Sequence, residues 1–174
     1  MERIVRKVKK ISPSYLKNLA LWYLERFGGT RARVRTILLR RVQAAEQAYG
    51  PTPNAKAWVQ ETLDTLTAQG LINDAEFART RVAKGLRLGK SRRLIAQDLA
   101  AAGVDAEDAE QAIREGFTSS EDPELEAAKR YAAKRGLGHH RPDPAAFKKK
   151  DMGAMARRGF SYNIARRALL NDKD

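Results

Sequence analysis

The sequence predicts an all-α protein of tandem three-helix repeats, with about nine helices stacked into an elongated, curved array. Three observations support this fold class. Helix caps and terminating glycines are dense along the chain, whereas Asn-Gly and Asp-Gly hairpin turns are absent. Apolar residues between these marks recur at the three- and four-residue spacing of amphipathic helices. One segment also repeats itself further along the chain.

Polar residues followed by proline mark three helix starts, because a side-chain oxygen can cap the first turn and proline suits the first helical position. These pairs are Ser12-Pro13, Asp122-Pro123 and Asp143-Pro144. Asn73 and Glu76 have the spacing of a capping box. Ser91, Asp105 and Ser161 are further predicted N-caps. Glycines close most of the intervening segments, as they do at helix C-termini.

The caps and glycines divide the chain into a basic N-terminal arm (1–12) and three repeats (13–72, 73–116 and 117–174). The first repeat has predicted helices near 13–27, 30–48 and 55–69. The other two repeats align when Gly103 is placed on Gly159, because the cap Asp105 then meets the cap Ser161. Tyr15, Trp22 and Trp58 have apolar neighbours at helical spacing, so we predict that they belong to the core.

The chain is strongly basic, with 34 Lys and Arg against 21 Asp and Glu and a net charge of +13. Such an excess favours polyanionic partners through long-range attraction and counterion release. The charge is unevenly placed, because residues 104–128 carry nine acidic side chains and one basic side chain. This acidic stretch repels phosphate, so it predicts contact with a protein surface.

Several classes of function lack support in the sequence. The chain has no cysteine, and its basic start leads to no apolar segment of the kind found in secretory signals, so we expect a cytoplasmic protein. The only histidines, His139 and His140, form a predicted exposed loop rather than a metal site. Neither a nucleophile elbow nor a phosphate-binding loop is present. We therefore predict no catalytic residue, cofactor or metal, and no enzyme activity.

Basic residues are the candidate binding groups in the second repeat. Arg79, Lys84 and Arg87 lie on the polar half of the helix predicted for 74–88. Arg81 falls within the apolar arc, where it either packs its stem and extends its charge to solvent or points into an interface. Further along the chain, Lys90, Arg92 and Arg93 crowd a helix N-terminus, where cations are unfavourable. These three residues therefore indicate an anionic partner.

Basic residues of the third repeat have more ordinary explanations. Arg166 and Arg167 point away from the apolar stripe and form either a solvated face or a contact surface. Arg157 and Arg158 sit at a predicted helix C-terminus, where the helix dipole already favours them. The run 148–150 is typical of a solubilising face.

Three stretches resemble the RecX family: 70–78, 89–99 leading to Gly103-Val104, and 158–169. The resemblance covers about residues 13–171 in order. It implies repeats that bind in the groove of a RecA-type filament and inhibit its growth, ATP hydrolysis and strand exchange. Apart from the resemblance, the basic charge predicts single- or double-stranded DNA as a partner without sequence preference. No apolar run is long enough to span a membrane, and we expect a monomer. The family has no catalytic residues to transfer.

A direct DNA-binding protein of the helix-turn-helix type is the alternative function. The segment 106–114 is acidic and would be repelled from a DNA groove, so the second repeat cannot read DNA with it. The third repeat, with Asn163, Arg166 and Arg167, could do so.

Overall fold

The computed structural model describes residues 8–118 and 121–170. The chain divides into two compact units, Met1–Asp74 and Ala75–Asp174. Over the described residues the secondary structure comprises nine α-helices, one short 3-10 helix and no strand, which confirms the all-α class. None of the described helices is long and apolar enough to cross a membrane.

The first unit packs three helices around one core. They are α1 (Pro13–Phe27), α2 (Arg31–Tyr49) and α3 (Ala55–Ala68). Leu16, Leu38, Leu63 and Leu66 are fully buried at its centre. Burying each such side chain stabilises the fold by about 1.5–3 kcal/mol, so the apolar stripes hold this bundle together.

The second unit contains the remaining helices in two adjoining cores. The first core gathers α4 (Asp74–Arg87), α5 (Arg92–Ala101) and α6 (Ala106–Gly116). The second gathers α7 (Pro123–Arg135), α8 (Pro144–Arg157) and α9 (Tyr162–Leu169), with the 3-10 helix Gly138–His140 between α7 and α8. Leu86 of α4 packs against both cores and so joins the two helix triplets.

Six predicted N-caps are confirmed, because each side chain accepts a hydrogen bond from a backbone N–H two or three residues ahead. They are Ser12, Ser91, Asp105, Asp122, Asp143 and Ser161. The proline-marked helix α1 has the predicted bounds, and α7 begins at the predicted residue, Pro123. The capping box of Asn73 and Glu76 stays a prediction, as do the repeat boundaries at 72 and 116.

Two glycine turns bring the α4–α5 connection against the last three helices. A Cβ on Gly89 would lie 2.8 Å from the Ala127 carbonyl oxygen, and a Cβ on Gly159 would lie 2.5 Å from Ser91 Oγ. Ser91 is buried, and its hydroxyl donates to the Arg158 carbonyl oxygen at 2.8 Å. The turn between α4 and α5 is therefore fixed beside the C-terminal end of α8.

The prediction that Trp22 belongs to the core is wrong. Its side chain is 53% exposed and contacts Phe27, itself 60% exposed, at 5.9 Å between ring centroids. The buried stripe of α1 is narrow, with Leu16 and Ala20 at its centre, so an apolar residue outside it stays at the surface. Tyr15 and Trp58 are partly buried, and Trp58 packs against the first core as predicted.

Candidate functional site

Unpaired cations line the exposed side of α4. Lys84 and Arg87 are exposed, and neither has a carboxylate partner within the described ranges. Arg79 differs, because its guanidinium binds the Glu76 carboxylate at 2.9 Å one turn away. Exposed pairs of this kind are worth about 0.2–1 kcal/mol, so an anion could displace the pair at little cost.

Arg81 packs its stem into the helix triplet α4–α6. The guanidinium carbon lies 5.2 Å from the ring centroid of Phe77, a cation–π contact. Its Nε is buried and has no hydrogen-bond partner among the described residues. Leaving such a donor unpaired costs about 1–3 kcal/mol. The packed stem agrees with the hypothesis that Arg81 extends its charge to solvent. The unpaired Nε agrees with the hypothesis that Arg81 points into an interface.

The three cations near the N-terminal end of α5 have different surroundings, although the sequence analysis treats them alike. Lys90 forms an ion pair with Asp98, and both side chains are less than one third exposed. Asp98 therefore accounts for the position of Lys90 without an outside anion, and the binding of a partner by Lys90 stays a prediction. Arg92 stacks on the Phe117 ring at 5.6 Å, and Arg93 is exposed. Neither guanidinium group forms an ion pair with a carboxylate in the described part of the chain.

The two candidate arginines of α9 also differ. Arg166 is exposed without a carboxylate partner in the described segments. Arg167 donates to the Asp122 carboxylate at 2.8 Å and thereby ties α9 to the start of α7. Arg166 thus remains available to a partner, whereas Arg167 has a structural contact that any partner must replace.

The acidic stretch separates into two parts with different roles. Its second part makes contacts inside the protein. Asp122 binds Arg167 at 2.8 Å and Glu126 binds Arg130 at 2.7 Å within the last helix triplet, whereas Glu124 accepts from the Arg92 backbone N–H at 3.3 Å and so joins α7 to α5. Its first part lies on α6, where Glu107 and Glu110 are exposed and Glu110 has only a loose contact of 3.7 Å with Arg114. The negative surface available to a partner is therefore the face of α6.

The sequence analysis missed a basic cavity of about 570 Å³ beside α7 and α8. We call it the α7–α8 cleft, and its lining includes these side chains: Tyr131, Lys134, Arg135, Lys150, Arg157 and Arg158. An adjoining cavity of about 370 Å³ shares four of these residues and reaches Leu88, beside the α4–α5 turn. The available signal was that Lys134-Arg135 and Arg157-Arg158 each precede a glycine at the end of a helix.

Asp151 anchors the loop at one edge of this cleft. Its buried carboxylate accepts from Arg141 through both oxygens at 2.7 Å and from the Gly138 backbone N–H at 2.9 Å. The Arg141 hydrogen bonds, opposed by burial and assisted by Gly138, lower the pKa of Asp151 below its usual value. The same contact raises the pKa of Arg141. The pair is thus held in its charged form and fixes the loop onto α8.

The two histidines lie in this loop with exposed side chains, and their ring centroids are 3.9 Å apart. Partial burial, with a smaller contribution from His139, lowers the pKa of His140. The described residues contain no group of three or more His, Asp or Glu side chains placed to hold a metal ion.

Comparison with known proteins identifies the family. Residues 73–113 match the family description "RecX, second three-helix domain", and residues 122–169 match "RecX, third three-helix domain". Regulatory protein RecX of Myxococcus xanthus is 36% identical over 172 residues, which cover 97% of this chain and 91% of that protein. The RecX protein of Agrobacterium fabrum is 31% identical over 90% of this chain and 82% of its own length.

Solved structures agree on the fold. The crystal structure of RecX from Lactobacillus salivarius has a TM-score of 0.64 and 22% identity, over 90% of this chain and 94% of that one. A second crystal structure of a regulatory protein RecX has a TM-score of 0.61, also at 22% identity. The tandem three-helix organisation is therefore confirmed, and the chain belongs to the RecX family of regulatory proteins.

Proposed function

We propose that this protein inhibits a RecA-type recombinase by binding its nucleoprotein filament, and so modulates homologous recombination and DNA repair. The RecX membership supports a regulatory role. The RecX resemblance supplies the filament as the target. We further propose that the protein acts as a cytoplasmic monomer without enzyme activity, and that it holds DNA without sequence preference.

The observation that carries this proposal is the opposite charge of two surfaces within one compact unit. Lys84, Arg87 and Arg93 offer cations without carboxylate partners in the described part of the unit, whereas Glu107 and Glu110 expose carboxylates on α6. A nucleoprotein filament presents both phosphate and protein groups, so it can satisfy both surfaces. Naked DNA satisfies only the first, because phosphate repels α6.

Charge reversal on α6 tests the proposal. The variant Glu107→Lys/Glu110→Lys and the control Glu25→Lys/Glu61→Lys change the net charge equally, and all four glutamates are exposed. We expect both variants to bind naked DNA more tightly, because each adds positive charge. Inhibition of recombinase ATPase should fall at least threefold for the α6 variant and hold or rise for the control.

The comparison of the two measurements decides the outcome. Inhibition that rises together with DNA affinity in the α6 variant would show a protein that merely coats DNA. Since Glu107 also favours the N-terminal end of its own helix, Glu107→Gln/Glu110→Gln provides a milder second variant. Circular dichroism of each variant checks that α6 stays folded.

Helix-turn-helix reading of DNA is the second candidate, and one observation favours it. The helix α9 exposes Tyr162, Asn163 and Arg166 together, and these side chains can contact base edges. Affinity that differs more than tenfold between duplexes of different sequence would favour this function over filament binding.

A further inference from the structure

The charge in the α7–α8 cleft is not balanced by the protein itself. Besides the five basic residues named above, the lining contains one more cation, Arg141, and one carboxylate, Asp151. Asp151 is buried and already accepts both Arg141 hydrogen bonds. Lys134, Arg135, Lys150 and Arg157 are exposed, and none of them forms an ion pair with a described carboxylate. The charge of Lys150 makes only the smallest of the contributions that lower the pKa of Asp151.

Helix dipoles do not remove this excess. The C-terminal ends of α7 and α8 both border the cleft, and each contributes about half of a negative charge. Together they offset about one of the five uncompensated cations. Lys150 lies within α8 rather than at its end, so the dipole does not explain its position. The concave wall therefore concentrates a positive potential that attracts anions.

Arg158 is held in place without any acid. Its guanidinium carbon lies 5.0 Å from the Tyr131 ring centroid, and its Nε donates to the Gly89 carbonyl oxygen at 3.4 Å. Within the described residues, the two terminal nitrogens of Arg158 make no hydrogen bond. A guanidinium oriented in this way matches the geometry of phosphate oxygens.

The shape favours an extended ligand over a small one. The cleft is bordered by exposed side chains, and the adjoining cavity beside Leu88 continues it toward the α4–α5 turn. Arg87 and Arg93 flank this turn in sequence, and both are exposed. A chain of linked phosphates can follow this path, whereas a single anion occupies only part of it.

We propose that the α7–α8 cleft binds the phosphodiester backbone of single-stranded DNA, with Lys134, Lys150 and Arg158 contacting its phosphates. This inference rests on the proposed function, because the DNA strand that the cleft binds is the strand within the filament. It assigns the DNA-holding role to the third helix triplet in addition to α4 and α5. The exposed face of α6 then remains for the protein component.

Two double variants of the full chain test the cleft. Lys134→Ala/Lys150→Ala removes one lining cation from α7 and one from α8, and Lys148→Ala/Lys149→Ala removes two cations from α8 that do not line the cleft. All four lysines are exposed, so neither variant should change the fold. Fluorescence anisotropy with labelled oligo-dT, repeated over a range of salt concentrations, measures affinity and its salt dependence.

The expected results differ between the two variants. The cleft variant should lose at least fivefold in affinity, and its plot of log K against log salt should become shallower by about 1.4, the slope of two lost phosphate contacts. The control should lose less than twofold and keep its slope. Equal losses in both variants would overturn the cleft as the site.

Two further arms separate the alternatives. Inorganic tripolyphosphate, matched in phosphate concentration, should compete weakly with oligo-dT, and equally strong competition would show a site for free polyphosphate instead. Recombinase ATPase inhibition by the unmodified protein tests the proposed function separately. The unmodified protein could fail to inhibit the recombinase while the cleft variant still shows the shallower plot of log K against log salt. In that case the proposal for DNA binding in the cleft holds, and only the proposal for filament binding fails.

Discussion

At the scale of single residues, Ser91 links helix capping to the packing of two helix triplets. Its Oγ accepts from the Leu94 backbone N–H at 3.2 Å and donates to the Arg158 carbonyl oxygen at 2.8 Å. The side chain is fully buried, so water cannot replace either bond. Ser161 caps α9 in the same way but is exposed and has only the first bond.

Ser91→Ala should therefore lower the free energy of unfolding by about 2–3 kcal/mol, the sum of a lost cap and an unpaired buried carbonyl. Ser161→Ala should cost about 1 kcal/mol, since it loses the cap alone. Urea unfolding monitored by circular dichroism measures both values. Equal losses would contradict the tertiary role assigned to the Ser91 hydroxyl.

Asp151 gives the protein a specific acid sensitivity. Because its pKa is lowered in the folded state, its contribution to stability is fully present above the unfolded value of about 3.9 and is lost as pH falls through the folded pKa. Asp151→Asn should cost about 2–3 kcal/mol at pH 7, since it leaves Arg141 without its counterion. The difference between the two proteins should shrink below about pH 4, and a constant difference from pH 7 to pH 3 would contradict the charged pair.

At the scale of helices and turns, Gly89 is where close approach matters. Gly89 and Gly70 have similar left-handed φ angles, +65° and +71°, so alanine is strained at both positions. A Cβ at Gly89 would also meet the Ala127 carbonyl oxygen and the Tyr131 backbone within 3 Å, whereas a Cβ at Gly70 meets nothing within 4 Å.

Gly70→Ala should therefore cost about 1–2 kcal/mol from backbone strain alone. Gly89→Ala should cost at least about 2 kcal/mol more, because backbone atoms of α7 must move. Thermal unfolding of the two variants separates strain from steric conflict. Equal melting temperatures for the two variants would show that the α4–α5 turn does not press on α7.

Local signals explain which elements the sequence could predict. The bounds of α1 and α7 follow from a capping side chain, a proline at the first position and a terminating glycine, all adjacent in sequence. The exposure of Trp22 and the pairing of Lys90 depend instead on which helix face meets the core and on a partner eight residues away. The cleft depends on bringing Lys134 near Lys150, which no local pattern encodes.

At the scale of the whole molecule, stacking of the repeats into an elongated, curved array is a prediction for solution scattering. A compact globule of this length has a radius of gyration of about 16 Å. Stacked repeats should give a clearly larger radius, together with a circular dichroism spectrum dominated by helix. A scattering radius at the compact value would count against the elongated arrangement while leaving the helix bounds unchanged.

Recombinase inhibition when the protein is scarce is the most direct test of filament binding. The assay follows ATP hydrolysis by a RecA-type protein on single-stranded DNA, with this protein added at far less than one copy per recombinase subunit. Binding to the filament predicts that hydrolysis falls under these conditions and that competing naked DNA relieves the inhibition only weakly. Inhibition that appears only when the protein is abundant enough to coat the DNA, and that naked DNA abolishes, would contradict filament binding.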